Sequence, residues 1–134
     1  MTKEDRNLLV QDLCARLPYG VKVLYKHSVF DIDYISSMYE EVHLDIVNNY
    51  TIDVSEVKPY LFPMSSMTEE QREEYESLCI KETNECIDIS GFSYTKDNYY
   101  DTVESIDYLY KNHIDIRGLI PKGLAIDCTN LNIY

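Results

Sequence analysis

The spacing of apolar residues near the start of the chain predicts an amphipathic α-helix. Asp5 follows Thr2 by three positions, which is a weak variant of a capping box. The helix is expected to stop at Pro18-Tyr19-Gly20, because proline cannot continue the hydrogen-bond ladder and glycine tolerates the reversing backbone. Between these points, the apolar residues at three- and four-residue spacing are Leu9, Val10, Leu13, Cys14 and Leu17.

The period of the apolar positions then changes to that of a β-strand, in which alternate residues share a face. Four groups of alternating apolar residues follow, separated by turns centred near His27-Ser28, Met38 and Asn49. The groups predict a four-stranded antiparallel meander with one apolar face, which the first helix would cover or which would curl into a small SH3-like barrel. The apolar residues expected on that face are Val21, Val23 and Tyr25; Phe30, Ile32 and Tyr34; Val42, Leu44 and Ile46; Ile52 and Val54.

Antiparallel pairing around these turns defines an expected register for the sheet. Val23 is expected beside Ile32, Ile32 beside Leu44, and Leu44 beside Val54. Because side chains alternate along a strand, a slip of one residue would turn every one of these side chains to the other face.

Two prolines follow the predicted sheet. Pro59 and Pro63 each lack a backbone N–H, so strand pairing is expected to fail between them. Tyr60 and Phe62 are then expected to fold inward over the end of the sheet. The alternative is that Tyr60 and Phe62 form a lip that binds a peptide.

The remainder of the chain is predicted to be mainly helical. Thr68 with Gln71 forms a capping box before a helix over residues 68–79, and Ser66 with Glu69 is an alternative cap. Residues 80–100 predict a short edge strand at 86–92 followed by a tyrosine-rich loop, SYTKDNYY.

A third helix and a terminal strand complete the predicted fold. Asp101 with Glu104 is expected to cap the helix, which ends near His113. A strand is expected at Leu124 to Asp127.

With 134 residues, of which 45% are apolar, the chain predicts one α+β domain. Residues 1–63 would hold the first helix and the meander, and residues 64–134 would form a helical C-terminal half.

The charge of the chain limits its partners. Twelve Lys and Arg against 24 Asp and Glu give a formal charge of −12. Such a surface repels polyanions, so direct binding to nucleic acid or to an anionic membrane is not expected. The charge indicates a basic protein partner, with simple solubility as the alternative. No apolar run approaches ~18 residues and the N-terminus has no signal-peptide core, which predicts a cytoplasmic location.

The cysteines predict no cofactor or disulfide framework. Cys14, Cys79, Cys86 and Cys128 are scattered and contain no CxxC pair. Reduced, mostly buried thiols are therefore expected, with a bridge between Cys79 and Cys86 as the alternative.

Four residues on the polar face of the predicted sheet are candidate metal ligands: Asp31, Asp33, His43 and Asp45. The expected register places Asp33 between Lys22 and His43, and Asp31 opposite Asp45. Carboxylates in a row could hold a hard cation such as calcium, magnesium or manganese. The alternative is the ordinary solvated face of an acidic protein.

Motifs that would indicate an enzyme are missing from the sequence. It contains no GxGxxG, GKS, GKT, HExxH or GxSxG. The pair His113 and Asp115, or a nucleophilic Cys86 or Cys128, would be unspecific candidates. Arg117-Gly118 and Lys122-Gly123 are compatible with an anion-binding turn or with ordinary turn chemistry. No catalytic residue and no cofactor are predicted.

Three segments carry a resemblance to a known group of proteins. They are LCARLPYGVKV at 13–23, VKPYLFPMSSMTEEQREE at 57–74, and the stretch from IDYLY at 106 through RGLIPKGLAI at 117–126. Together they resemble uncharacterised proteins of gut Bacteroidales that are often associated with phage or other mobile elements. The group has no assigned activity, so the resemblance implies only a context, that of an accessory protein of a mobile element inside a bacterium.

These observations favour a small, non-enzymatic interaction protein whose acidic, tyrosine-bearing surface contacts another protein. One alternative is an acidic DNA mimic that inhibits a nucleic-acid enzyme, which would need acids in rows about 7 Å apart, close to phosphate spacing. The other is a divalent-metal-binding protein or enzyme built on Asp31, Asp33, His43 and Asp45.

Overall fold

The computed structural model describes residues 1–45 and 51–134. It contains helices and strands in a mixed order, which confirms the predicted α+β class. The helices are α1 Lys3–Arg16, α2 Glu69–Leu78 and α3 Val103–Lys111. The strands are β1 Lys22–Tyr25, β2 Ser28–Ser36, β3 Glu41–Leu44, β4 Thr51–Asp53, β5 Val57–Pro63, β6 Ile80–Ile87, β7 Ser93–Tyr100, β8 Ile114–Asp115 and β9 Ile126–Asp127.

The chain forms two compact units. The sheet unit consists of residues 1–66 and 110–134, and the hairpin unit consists of residues 67–109. The sequence predicted a single domain with a division after residue 63. The contacts instead group residues 110–134 with the N-terminal part of the chain.

The sheet unit is built on a sheet with the strand order β4-β3-β2-β1-β5-β8, in which β9 also pairs with β5. Strands β1 to β4 are antiparallel to their neighbours, whereas β8 and β9 run parallel to β5. The strand order does not close on itself in the described residues, so an SH3-like barrel stays a prediction. Ile32 pairs with Leu44 as predicted, and both are buried.

The predicted register of β1 was wrong by two residues. Val23 lies opposite Phe30 rather than Ile32, because the tight turn occupies Lys26 and His27 instead of His27 and Ser28. Lys26 adopts a positive φ of 55°, which this reversal requires.

A bulge in β2 changes the face on which the next side chains lie. The register shifts between Ile32 and Tyr34, so Tyr34 is exposed and Ile35 packs against the core. The prediction that Tyr34 faces the core was wrong, because one extra residue in a strand reverses the alternation beyond it.

The predicted pairing of Leu44 with Val54 was also wrong. Val42 pairs with Ile52, and Val54 begins a single turn of 3₁₀ helix, Val54–Glu56. The predicted turn at Asn49 and the inward-facing Ile46 lie outside the described residues.

Strand β5 lies inside the sheet, where two prolines had predicted that pairing would fail. Pro59 is the last β5 residue paired with β1, opposite Val23, and Pro63 is the last paired with β8, opposite Asp115. A proline at the end of a ladder leaves no gap in the hydrogen bonds of the preceding pairs. The expectation of a break at residues 57–63 was therefore wrong.

Helix α1 covers the apolar face of the sheet, as predicted. Its Leu9, Val10 and Leu13 belong to the same buried cluster as Val23 and Leu44. Each fully buried leucine contributes roughly 1.5–3 kcal/mol. The Thr2 hydroxyl accepts a hydrogen bond from the Asp5 N–H at 3.1 Å, which confirms the predicted cap.

The hairpin unit begins with the predicted helix. Thr68 and Gln71 form the capping box of α2, each side chain bonding the backbone of the other residue. Helix α3 is also present, although its cap is Thr102, whose hydroxyl accepts from the Ser105 N–H at 3.1 Å. The predicted cap, Asp101, instead accepts a bond from the Ser105 hydroxyl at 3.0 Å.

Residues 80–100 form a long β-hairpin rather than a short strand and a loop. Strands β6 and β7 pair over eight residues, from Ile80 with Tyr100 to Ile87 with Ser93. Gly91 adopts φ +86° in the connecting turn, a conformation that favours glycine. The segment SYTKDNYY, predicted as a loop, is strand β7 itself.

Candidate interaction surface

The four predicted metal ligands lie in β2, in β3 or directly after β3. Their hydrogen bonds divide them into two pairs, Asp33 with His43 and Asp31 with Asp45. The His43 Nδ1 lies 3.1 Å from a carboxylate oxygen of Asp33, and the His43 ring stacks on Tyr34. Asp45 accepts a hydrogen bond from the Asp31 N–H at 2.9 Å. Asp31 in turn accepts from Lys22 Nζ at 3.0 Å.

In each of these contacts, a carboxylate oxygen bonds another group of the protein. Asp53, in the neighbouring strand β4, accepts two hydrogen bonds from Arg6, both at 2.8 Å. The Arg6 guanidinium holds the pKa of Asp53 below its usual range. Among residues 1–45 and 51–134, no group of three or more His, Cys, Asp or Glu side chains is arranged to hold a metal ion. The geometry therefore gives no support to the metal hypothesis.

Tyr60 and Phe62, the predicted peptide lip, are strand residues with little free surface. Tyr60 is buried, and its carbonyl oxygen accepts a hydrogen bond from the Tyr134 hydroxyl at 2.9 Å. Phe62 is half-buried, and its ring centroid lies 6.1 Å from that of Tyr134. Because Tyr134 contacts both residues, a lip formed by them gains no support.

A buried ion pair in the sheet unit was missed by the sequence analysis. Arg16 and Asp12 are completely buried; Arg16 Nε donates to Asp12 at 2.7 Å, and Arg16 Nη2 donates to the Ile114 carbonyl at 2.7 Å. The guanidinium lies 5.1 Å from the centre of the Tyr110 ring, within range of a cation–π interaction. This arrangement ties α1 to residues 110–114.

The predicted anion-binding turn is occupied by a carboxylate of the protein itself. The two oxygens of Asp115 accept hydrogen bonds from the N–H groups of Leu119 and Ile120, both at 2.9 Å. Asp115 is buried, so these two bonds compensate part of its desolvation. The turn at residues 117–120 is thereby held by an internal anion.

The structure places the four cysteines in different environments. All four are free, and Cys14 is exposed while Cys79 and Cys86 are half-buried, so the prediction of mostly buried thiols was wrong. Burial raises the pKa of Cys128 to about 11. A thiol with such a pKa stays protonated at neutral pH and is a poor nucleophile.

His113 packs against Tyr134 in a partly closed environment. The two rings stack with centroids 3.5 Å apart, and the residue adopts φ +61°. Burial, together with the positive charges of Arg16 and Lys22, lowers the pKa of His113 to about 4. The imidazole is therefore neutral in the folded protein at neutral pH.

This shift predicts a pH dependence of stability. A histidine with a folded-state pKa below its usual 6.5 stabilises the fold above pH 6.5, and that contribution is lost as the pH falls through 4. We expect a loss of about 1–2 kcal/mol by pH 4, reduced from the full shift because the ring is partly exposed. His113→Asn tolerates the positive φ and should show a smaller loss. Urea unfolding of the unchanged protein and of His113→Asn between pH 6.5 and pH 4 tests this prediction. An equal fall of the free energy of unfolding in the two proteins would contradict it.

Most of the negative charge lies in the hairpin unit. Its 43 residues contain three Lys and Arg and twelve Asp and Glu, which gives −9 of the total −12. The sheet unit holds the remaining nine bases and twelve acids, a charge of only −3. A positively charged partner is therefore attracted chiefly to the hairpin unit.

The hairpin unit also exposes unusually many apolar side chains. Only Met67, Ser105 and Leu109 are buried among its residues, all of which the structure describes. A two-stranded hairpin without a covered face is only marginally stable by itself, and clustered exposed apolar groups mark interaction sites. The exposed large side chains of residues 80–100 are Ile80, Ile87, Ile89, Phe92, Tyr94, Tyr99 and Tyr100.

A shallow groove of about 380 Å³ lies between α2 and the hairpin. Glu73 and Glu76 line it from one face of α2, and Tyr99 lines it from β7. Cys79 and Lys81 line it where the helix leads into β6. Carboxylates beside an aromatic ring suit a lysine or arginine side chain, through ion pairing and cation–π contact.

Comparison with known protein families, with curated proteins and with solved structures finds no match for this chain. None of the helices in the described residues combines the length and apolar character needed to cross a bilayer.

Proposed function

We propose that the protein is a small, non-enzymatic interaction protein whose hairpin unit binds a basic segment of another protein. The observation that supports this most is the combination, on 43 residues, of a −9 charge and eight exposed large apolar side chains, seven of them in residues 80–100 and the eighth at Val103. Charge attracts a basic partner, and apolar surface supplies the contact area on which stable association depends. The acidic groove lined by Glu73, Glu76 and Tyr99 is part of this surface.

The resemblance of three segments to proteins of gut Bacteroidales supports a proposal about the context of this interaction. We propose an accessory protein of a phage or other mobile element that works in the bacterial cytoplasm. The basic partner would then be a protein of the host or of the element.

Neutralising the groove is expected to weaken binding. The variant Glu73→Gln with Glu76→Gln keeps helix propensity and side-chain size while removing two charges from α2. We expect an affinity for the partner about tenfold lower, and a weaker dependence of affinity on salt. The matched control is Glu4→Gln with Glu56→Gln, which removes two exposed charges from the sheet unit and should change affinity less than twofold.

The partner for this measurement is obtained by affinity capture from the native host and mass spectrometry, followed by purification. Binding is then measured by calorimetry at two salt concentrations. A basic partner that distinguishes the groove variant from the control supports the proposal. A captured protein that binds both variants equally well contradicts it.

The same concentration of charge also favours a second function, that of a DNA mimic. In that case the partner would be a nucleic-acid enzyme, and duplex DNA would compete with the protein for it. The exposed isoleucines and Phe92 fit a protein interface better than an imitation of a phosphate backbone. Failure of duplex DNA to displace the partner would exclude mimicry.

A further inference from the structure

The β6–β7 hairpin has free edges. Its two strands form a sheet of their own, with no third strand among residues 1–45 and 51–134. The eight pairs follow one another without a register shift, and neither strand contains proline. A long, regular edge of this kind carries a row of unpaired N–H and C=O groups, which another strand can join.

The turn determines which backbone groups point away from the hairpin. The Asp88 N–H donates to the Phe92 carbonyl at 3.0 Å, and hydrogen-bonded and non-bonded pairs alternate along an antiparallel ladder. Ile87 and Ser93 are therefore a non-bonded pair, and so is every second pair after them. On β7, the residues whose N–H and C=O groups face outward are Ser93, Thr95, Asp97 and Tyr99.

The two edges differ in their side chains. Lys81 and Glu85 occupy outward positions of β6, whereas the backbone groups of Lys96, the lysine of β7, face β6. A lysine on an edge strand is a common device against strand addition. The outward positions of β7 include one charged residue, Asp97, which already bonds the Thr83 hydroxyl at 2.7 Å. A depression of about 150 Å³ borders β7 at Ser93–Thr95, with Glu85 also in its lining.

We propose that β7 is the docking edge of the protein and that its occupant is an extended, basic segment of the partner, which adds to the hairpin as a third strand. The inference rests on the proposed function and specifies its mode of binding. Backbone hydrogen bonds to the outward groups of Thr95 and Asp97 supply affinity, and the carboxylates of the hairpin unit select lysine and arginine side chains. A second copy of the chain is the poorer occupant, because it would bring another −9 charge to the same surface.

A pair of synthetic peptides tests this mode directly. The first is as long as β7 and alternates lysine with valine; the second is identical but carries N-methyl groups on the amides that would pair. We expect the first to bind and the second to bind at least tenfold more weakly, because only its backbone donors differ. Hydrogen exchange should slow at least tenfold at the Thr95 and Asp97 amides when the first peptide is added. The Lys96 amide, which faces β6, should already be protected.

A variant of β7 gives an independent readout. Thr95→Pro removes one outward N–H and none of the bonds inside the hairpin, and an edge strand tolerates proline. We expect it to lower affinity for the first peptide about tenfold, whereas the control Thr95→Val should stay within twofold. If Thr95→Pro prevents the hairpin from forming, strand addition is tested by the binding of the two peptides to the unchanged protein alone.

The outcomes separate this inference from the function on which it rests. Equal binding of the two peptides, without slower exchange at Thr95 and Asp97, overturns the strand-addition mode. If Glu73→Gln with Glu76→Gln still weakens peptide binding in that case, the acidic interaction surface stands without it. Failure of both peptides to bind at low salt contradicts both proposals. Dimerisation of the free protein through β7, seen by ultracentrifugation and lost in Thr95→Pro, would make a second copy the occupant and overturn the choice of a basic partner.

Discussion

Replacing Arg16 with methionine is expected to lower the free energy of unfolding by about 3–5 kcal/mol. The substitution removes the bonds to Asp12 and to the Ile114 carbonyl, both at 2.7 Å, and leaves the completely buried carboxylate of Asp12 without its main partner. Methionine fills much of the space of the arginine stem. The loss of stability is therefore due mainly to the unpaired charge of Asp12 and only in small part to a cavity. Urea unfolding at neutral pH measures it.

Two further proteins identify the cause of this loss. The double variant Asp12→Leu with Arg16→Met removes both charges and should be more stable than Arg16→Met alone, because no uncompensated charge remains buried. Lys22→Met breaks the exposed pair with Asp31 and should cost no more than about 1 kcal/mol. A loss below about 1 kcal/mol for Arg16→Met would show that the pair is not buried as described.

Leu61→Ala is expected to destabilise the protein by about 2–5 kcal/mol. Leu61 is completely buried in the core cluster, and it lies in β5, where its carbonyl accepts the Cys128 N–H at 2.9 Å. The substitution leaves a cavity that a strand with neighbours on both sides cannot easily close. Thermal and urea unfolding measure the change.

The control for this prediction lies in the same strand. Lys58 is exposed, and Lys58→Ala should change the free energy of unfolding by no more than about 0.5 kcal/mol. Equal effects of Leu61→Ala and Lys58→Ala would contradict the central, buried position of β5.

Local patterns were enough to predict the elements whose partners are close in sequence. Helix α1 follows from the helical spacing that ends at Leu17, and α2 follows from the capping box of Thr68 and Gln71. The pairing of Ile32 with Leu44 follows from period-two alternation on both sides of a short turn. In each case the residues that determine the structure lie close together in the sequence.

Strand β5 could not be predicted in the same way. Pro59 and Pro63 are compatible with a strand only because each ends a ladder. One of those ladders involves β8 and thus Ile114, which lies far along the sequence. No pattern within residues 57–63 contains that information. The bulge between Ile32 and Tyr34 likewise depends on how β3 packs, and it reversed the predicted orientation of Tyr34.

The hairpin was missed because neither of its faces is covered. Strand prediction relies on alternation between apolar and polar side chains, and β6 and β7 are almost entirely exposed. The available signal was the turn, where Asp88 and Gly91 flank two residues between segments rich in tyrosine, threonine and isoleucine.

The candidate surface was accessible from the sequence only in part. The excess of acids after residue 68 is visible in the sequence, but the limits of the hairpin unit and the position of Tyr99 beside Glu73 and Glu76 come from the fold. The pair of Asp12 and Arg16, four residues apart, reads in sequence as an ordinary surface ion pair of a helix. Its burial depends on residues 110–114, which no local pattern connects to α1.

The order of the strands has a consequence for synthesis on the ribosome. Strands β1 to β5 are translated first, but β8 and β9, which pair with the other side of β5, emerge only after the whole hairpin unit has been made. A nascent chain therefore carries an incomplete sheet with an open, apolar margin for the time in which residues 67–109 are translated. Exposed apolar surface of this kind promotes aggregation, so slow translation of residues 67–109 would lengthen the time at risk.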